Sequence, residues 1–110
     1  MEFGTFILDF QTINFESDSE IARNLLNEYQ SSLKLQNAFA LDEPITTAGW
    51  SFAKLFLSAE FVEKLYERNG REIDRLKGKR LVDKIVSWLA GNLQSKNCGA
   101  QLKIAREMVP

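Results

Sequence analysis

Histidine is absent from the chain. That absence removes Ser-His and Cys-His nucleophilic arrangements, histidine-containing metal sites and imidazole proton transfer. Cysteine occurs once, as Cys98, so there is no internal disulfide and no thiolate set for zinc. Nothing near Cys98 in sequence supplies a base, and it reads as a small turn residue. No apolar run approaches the eighteen or so residues of a membrane-spanning helix, and no charged segment followed by an apolar one marks a secretory leader. A reducing cytoplasm is the expected compartment. The one Gly-Lys-Arg run, at Gly78, lacks the earlier glycine and the Ser/Thr of a phosphate-binding loop. Internal repeats and low-complexity tracts are also missing.

Carboxylates do occur in pairs, at Asp42-Glu43 and at Glu63/Glu67. The first pair falls in a loop and the second among Lys and Arg neighbours, where solvation rather than acid–base work is expected. The chain is therefore expected to be non-enzymatic, without catalytic residues, cofactor or metal.

What is present is hydrophobic bulk. Of 110 residues 45% are hydrophobic, with 8 Phe, 2 Trp and 2 Tyr, enough for a single domain with a core of its own. Glu2-Phe3-Gly4-Thr5 is what two adjoining cloning sites encode in frame, so these first residues carry no functional weight, and the remainder can be an excised domain. The net charge of −1 hides a polarity. Residues 1–63 hold three Lys/Arg against ten Asp/Glu, and residues 64–110 hold eleven against five. Such asymmetry suits partner docking or self-association, or is neutralised within one fold.

The periodicity predicts a mainly α fold: an irregular bundle of four to five helices behind an N-terminal extended arm. Phe6, Leu8 and Phe10 alternate, and so do Ile13 and Phe15 in the opposite phase, which makes residues 6–16 an extended segment bent near Gln11-Thr12. Ser17 and Glu20 form a capping-box pattern ahead of a helix over about 18–38, with Ile21, Leu25 and Tyr29 on one face. Pro44 ends that run. Thr46 or Thr47 then caps a second helix over about 47–57, whose "WSFAKLFL" is apolar nearly all round and so is expected at the centre. The functional alternative for this stretch is a hydrophobic ligand pocket lined by Trp50, Phe52 and Phe56.

Ser58 caps a third helix over about 59–77. At 3.6 residues per turn Phe61, Val62, Leu65, Tyr66, Ile73 and Leu76 share one face straight through Gly70. Beyond Gly78 the apolar face of Leu81, Val82, Ile85, Val86, Trp88, Leu89 and Leu93 lies opposite that phase, so the chain must turn near Gly78 and begin a fourth helix over about 79–95. "KNCG" ends it, and a short last helix over about 100–108 is expected.

Two surfaces are candidates for function. Lys64, Arg68, Arg71 and Arg75 make a basic stripe that continues into Lys77, Lys79 and Arg80 at the Gly78 corner. This is the nucleic-acid contact of the alternative reading. "FVEKLYERNGREIDRL" superficially looks like a helix-turn-helix, but bulky Tyr66 stands where a small residue lets the helices approach, and an acidic stripe of Glu63, Glu67 and Asp74 runs beside the basic one. The favoured reading is a protein-interaction or regulatory module that self-associates. The extended arm has no evident partner strand and no tight turn of its own, so its backbone and its Phe6, Ile7, Leu8 and Phe10 side chains call for a second copy. A homodimer through these four residues is the expected assembly.

Overall fold

Leu8, Phe10 and Thr12 are buried while Ile7, Asp9 and Gln11 between them are only partly so, the alternation of a strand covered on one side. The structure, a computed structural model, describes residues 6–78 and 80–107. The first five residues and Lys79 lie outside that range, as does Met108, the last apolar position of the expected terminal helix. Strand β1 (Phe6–Thr12) leads into helix α1 (Phe15–Ser32), two short strands β2 (Phe39–Leu41) and β3 (Ile45–Thr47), and strand β4 (Trp50–Leu57). Helices α2 (Ala59–Asp74) and α3 (Leu81–Ser95) follow, and then strand β5 (Gln101–Glu107).

The mainly α bundle is thereby corrected. Among the described residues there are three helices and one five-stranded antiparallel sheet, an α+β fold. The sheet runs β2-β4-β1-β5, with β3 also on β4. That order, with helices filling the β1–β2 and β4–β5 connections, is the split β-α-β plan with one extra helix.

Three expectations fail for identifiable reasons. Residues 47–57 are not a helix. Ser51, Ala53, Leu55 and Leu57 face inward while Trp50, Phe52 and Lys54 are exposed, a period of two that aromatics on the outer side disguise as an all-round apolar run. Thr46 and Thr47 cap nothing. They belong to β3, joined to β4 by Ala48-Gly49 at φ 53° and 82°, the two left-handed residues of a tight hairpin turn. The described part of the expected short helix over 100–108 is strand β5 instead, because Leu102 and Ile104 pack into the core and Lys103 between them is exposed. The β1 segment does have partner strands: β4 on one side, from Phe6↔Leu57 to Thr12↔Ser51, and β5 on the other.

Helix α1 starts earlier and ends sooner than its pattern suggests. Its N-cap is Asn14, with no side-chain cap, so the Ser17–Glu20 box is not used. It stops at Ser32, beyond which Lys34 and Asn37 take left-handed φ of 60° and 54°. Helix α2 follows its sequence closely. The Ser58 hydroxyl accepts the Phe61 N–H at 3.1 Å, and Phe61, Val62, Leu65 and Ile73 are all buried. The helix bends at Asn69 (φ −120°, ψ 22°), where the side-chain amide donates to the Leu65 carbonyl at 3.1 Å. The Tyr66 ring lies beside Gly70, and its hydroxyl donates to Asp74 at 3.0 Å across the bend. The turn into α3 comes at Gly78 (φ +150°), where a Cβ would sit 2.9 Å from that of Asp83.

All three helices lie against one side of the sheet. Leu26 of α1, Phe61 and Leu65 of α2 and Ile85 and Leu89 of α3 share a core with Leu8, Leu55 and Leu57. Trp88 stacks on Tyr29 with centroids 5.3 Å apart. Phe10, Ala22, Leu25, Ala53, Leu93 and Cys98 form a second cluster at the other end.

Candidate functional site

Among the described residues, no helix covers the far side of the sheet. Register places Ile7, Asp9 and Gln11 of β1 beside Phe56, Lys54 and Phe52 of β4. Ile45 of β3 stands beside Phe52, and Thr47 beside Trp50. None of these outer-face residues is buried. Large apolar side chains are exposed at only five described positions, and four of them gather at one end of this face: Ile45 (72%), Phe52 (40%), Trp50 (38%) and Ile13 (72%). Ile13 directly follows the Thr12↔Ser51 pair, at the end of β1 where Trp50 begins β4. In the middle of the face the Lys54 ammonium pairs with the Asp9 carboxylate.

The four residues predicted for a dimer contact are divided by the strand. Leu8 and Phe10 are fully buried in this chain's own core, because β1 is a central strand and not a free arm. Phe6 is half-buried and packs on the same core. Ile7 alone has the parity of the outer face. The three aromatics considered for a ligand pocket, Trp50, Phe52 and Phe56, line no helix; they stand in a row along β4.

The basic residues are on the helical side. Lys64 is half-buried, whereas Arg68, Arg71, Arg75, Lys77 and Arg80 are exposed, and Lys79 lies outside the described residues. Arg68 donates to the Ser32 hydroxyl at the end of α1. Arg80 donates to Asp83 through its backbone and its guanidinium, an interaction that holds the Asp83 carboxyl below its ordinary pKa, chiefly through the side-chain hydrogen bond. The stripe is therefore partly engaged in helix capping and helix–helix contact, and the sheet separates it from the exposed aromatics.

A buried polar junction joins β1, α1 and the α3–β5 connection. The Thr12 hydroxyl donates to Asp18, the Gly99 N–H donates to the same carboxylate at 3.0 Å, and the Cys98 thiol points to the Asp18 carbonyl. Every partner here is internal. Burial pushes the Cys98 thiol pKa up, away from the thiolate that reactivity needs. Among the described residues no group of three or more His, Cys, Asp or Glu side chains is placed to hold a metal, and no helix is long and apolar enough to cross a membrane.

No protein-family model, curated protein or solved structure matches the chain. The site must be judged by its own chemistry. An exposed aromatic and aliphatic cluster with a polar surround suits apolar contact with a macromolecule. A sequence signal for it existed: Trp50, Phe52, Lys54 and Phe56 all fall on even positions, hence on one face of a strand.

Proposed function

We propose that the chain is a non-enzymatic interaction or regulatory module that self-associates, and that it does so through the outer face of its sheet. The observation that carries this reading is the gathering of Ile13, Ile45, Trp50 and Phe52 at one end of an uncovered face. Isolated exposed apolar residues need no explanation, whereas a contiguous group of them marks contact surfaces. The edges of the sheet are less suited to pairing. On one side the edge is interrupted between β2 and β3, where Asp42 exchanges bonds with the Lys54 backbone at 2.7 and 3.0 Å and Pro44 follows. On the other, β5 carries a register shift opposite Ile7/Leu8 and exposes Lys103. Bulges and edge lysines discourage strand addition, which leaves the face as the larger opportunity.

A nucleic acid is a poorer fit to this surface. The cations described there are Lys54, already paired with Asp9, and Lys103, too few to neutralise a phosphate backbone. The lone thiol, buried as Cys98, is compatible with a reducing cytoplasm as the working compartment.

Sedimentation velocity at tens of micromolar tests the proposal. The parent is expected to sediment as a dimer, and a Trp50→Ser/Phe52→Thr double variant as a monomer with a near-parental melting temperature. A monomeric parent refutes the reading. Salt-sensitive retention of that monomer on heparin, lost in Arg68→Ala/Arg75→Ala, would transfer the function to the basic stripe.

A further inference from the structure

The Asp9–Lys54 pair at the centre of the outer face restricts how two copies can meet. Along β1 and β4 this face presents three paired rows, Ile7 with Phe56, Asp9 with Lys54 and Gln11 with Phe52, and Trp50 of β4 lies past the last pair, Thr12↔Ser51. Apolar side chains stand at both ends, and opposite charges sit side by side between them. We propose that the occupant of this face is a second copy of the chain, packed sheet on sheet about a two-fold axis that runs along the strands between β1 and β4. This rests on the self-association reading above.

Charge selects the direction of the axis; Lys103 of β5 also flanks Asp9, but Gln101 flanks Gln11 there, so the apolar Phe52 and Phe56 place the axis between β1 and β4. A two-fold along the strands carries each β1 residue over the β4 member of its own row in the other copy. Asp9 then faces Lys54 of the second copy, and Lys54 faces its Asp9, so the two pairs close into an alternating four-charge square. Ile7 faces Phe56 at one end, and exposed Trp50 and Ile13 gather at the other. A two-fold across the strands at the charged row instead sets Asp9 on Asp9 and Lys54 on Lys54. Displaced to a neighbouring row, it sets the charges on Gln11 and Phe52 and provides no opposite charge. Like-charge contact at an interface suppresses the wrong arrangement, and burying a charge without a counter-charge is costly. Face-packed sheets are typically rotated by roughly 30°. Rotation about the middle of the face moves the end rows most, so the charge square is the contact that best survives it.

Both groups remain accessible in the single chain, with side-chain exposures of 49% for Lys54 and 31% for Asp9. The square can therefore form without repacking either copy.

Charge exchange tests the arrangement, with circular dichroism confirming that each variant is folded. Asp9→Lys and Lys54→Asp, each alone, are expected to weaken dimerisation by about tenfold or more, since each makes the square all of one sign. The exchanged chain, Asp9→Lys with Lys54→Asp, is expected to dimerise again. An equimolar mixture of the two single variants is expected to form a heterodimer at least as tight as the parent dimer, because every charge contact between the copies is then of opposite sign. A dimer sensitive to Trp50→Ser/Phe52→Thr but indifferent to Asp9→Lys overturns this arrangement and leaves the self-association reading standing. Failure of the exchanged chain to dimerise, or of the mixture of single variants to form a heterodimer, overturns the charge square and with it the strand-parallel axis. A monomeric parent overturns both.

Discussion

The two faces of β4 reverse the usual relation between size and burial. Its inner side chains are Ser51, Ala53, Leu55 and Leu57, while its outer ones are Trp50, Phe52, Lys54 and Phe56. The strand contributes to the core with its smaller residues and keeps its three aromatics on the open side. On the inside, small size has a local reason. Ala53 lies opposite fully buried Phe10, and Ser51 lies between Thr12 and Thr46, accepting or donating at 3.1 Å with the latter. On the outside, nothing within the fold requires rings. The difference teaches that apolar bulk in a strand does not by itself say which side is the core, because the neighbours decide which sizes fit inside.

That contrast can be broken from the inside first. Phe10→Ala empties a fully buried ring position and should cost about 3–5 kcal/mol, a large part of the stability of a small domain. A urea melt reads it, and a loss under about 1 kcal/mol would mean the inner face is not the core. Next comes the polar junction. Asp18→Ala leaves the Thr12 hydroxyl and the Gly99 N–H without their acceptor, and about 1–3 kcal/mol should be lost. Amide exchange at Gly99 should rise in the same variant, and an unchanged rate would place that bond outside the folded ensemble. Ser58→Ala removes the cap from the Phe61 N–H and should cost about 1 kcal/mol by thermal melt; Ser58→Gly, which keeps the cap geometry open, should lose less. The smallest effect belongs to the outer face. Phe52→Thr keeps a β-branched residue on a half-exposed site and should move stability by no more than about 0.5 kcal/mol in a dilute melt, while changing association. A large loss in dilute solution would give the outer ring a structural role and erase the contrast.

The same contrast explains what the sequence disclosed. Helices α2 and α3 were legible because their apolar positions keep a 3.6 period and change phase at Gly78, and both properties are local. The Ser58 cap was legible for the same reason. β1 was legible as extended, but its neighbours were not. β4 has large apolar side chains on both sides of the alternation once Leu55 and Leu57 are counted, which hides its period of two, and the Ala48-Gly49 turn lacks the Asn-Gly that announces a hairpin. With β4 and β5 both read as helix, β1 had nothing to pair with, and a second chain was invoked for bonds that the same chain supplies. Of the four residues assigned to an interface on that ground, Leu8 and Phe10 are core and Ile7 lies on the open face. The exposed cluster itself joins Ile13, Ile45, Trp50 and Phe52 from three strands or their ends. Such grouping depends on register, which no single window of sequence contains.

Position of β1 between β4 and β5 has a consequence for synthesis. Its first partner is complete only when Leu57 has been made, and its second only when residues 101–107 have been made. A nascent chain that has released residues 6–95 from the ribosome holds all three helices, yet one edge of its central strand is still bare. The sheet cannot close before β5 is available, since β1 and β5 are its first and last described strands. Pairings of such long sequence separation form slowly. During that interval the bare edge of β1, with its backbone N–H and C=O groups unpaired, is open to a misdirected strand.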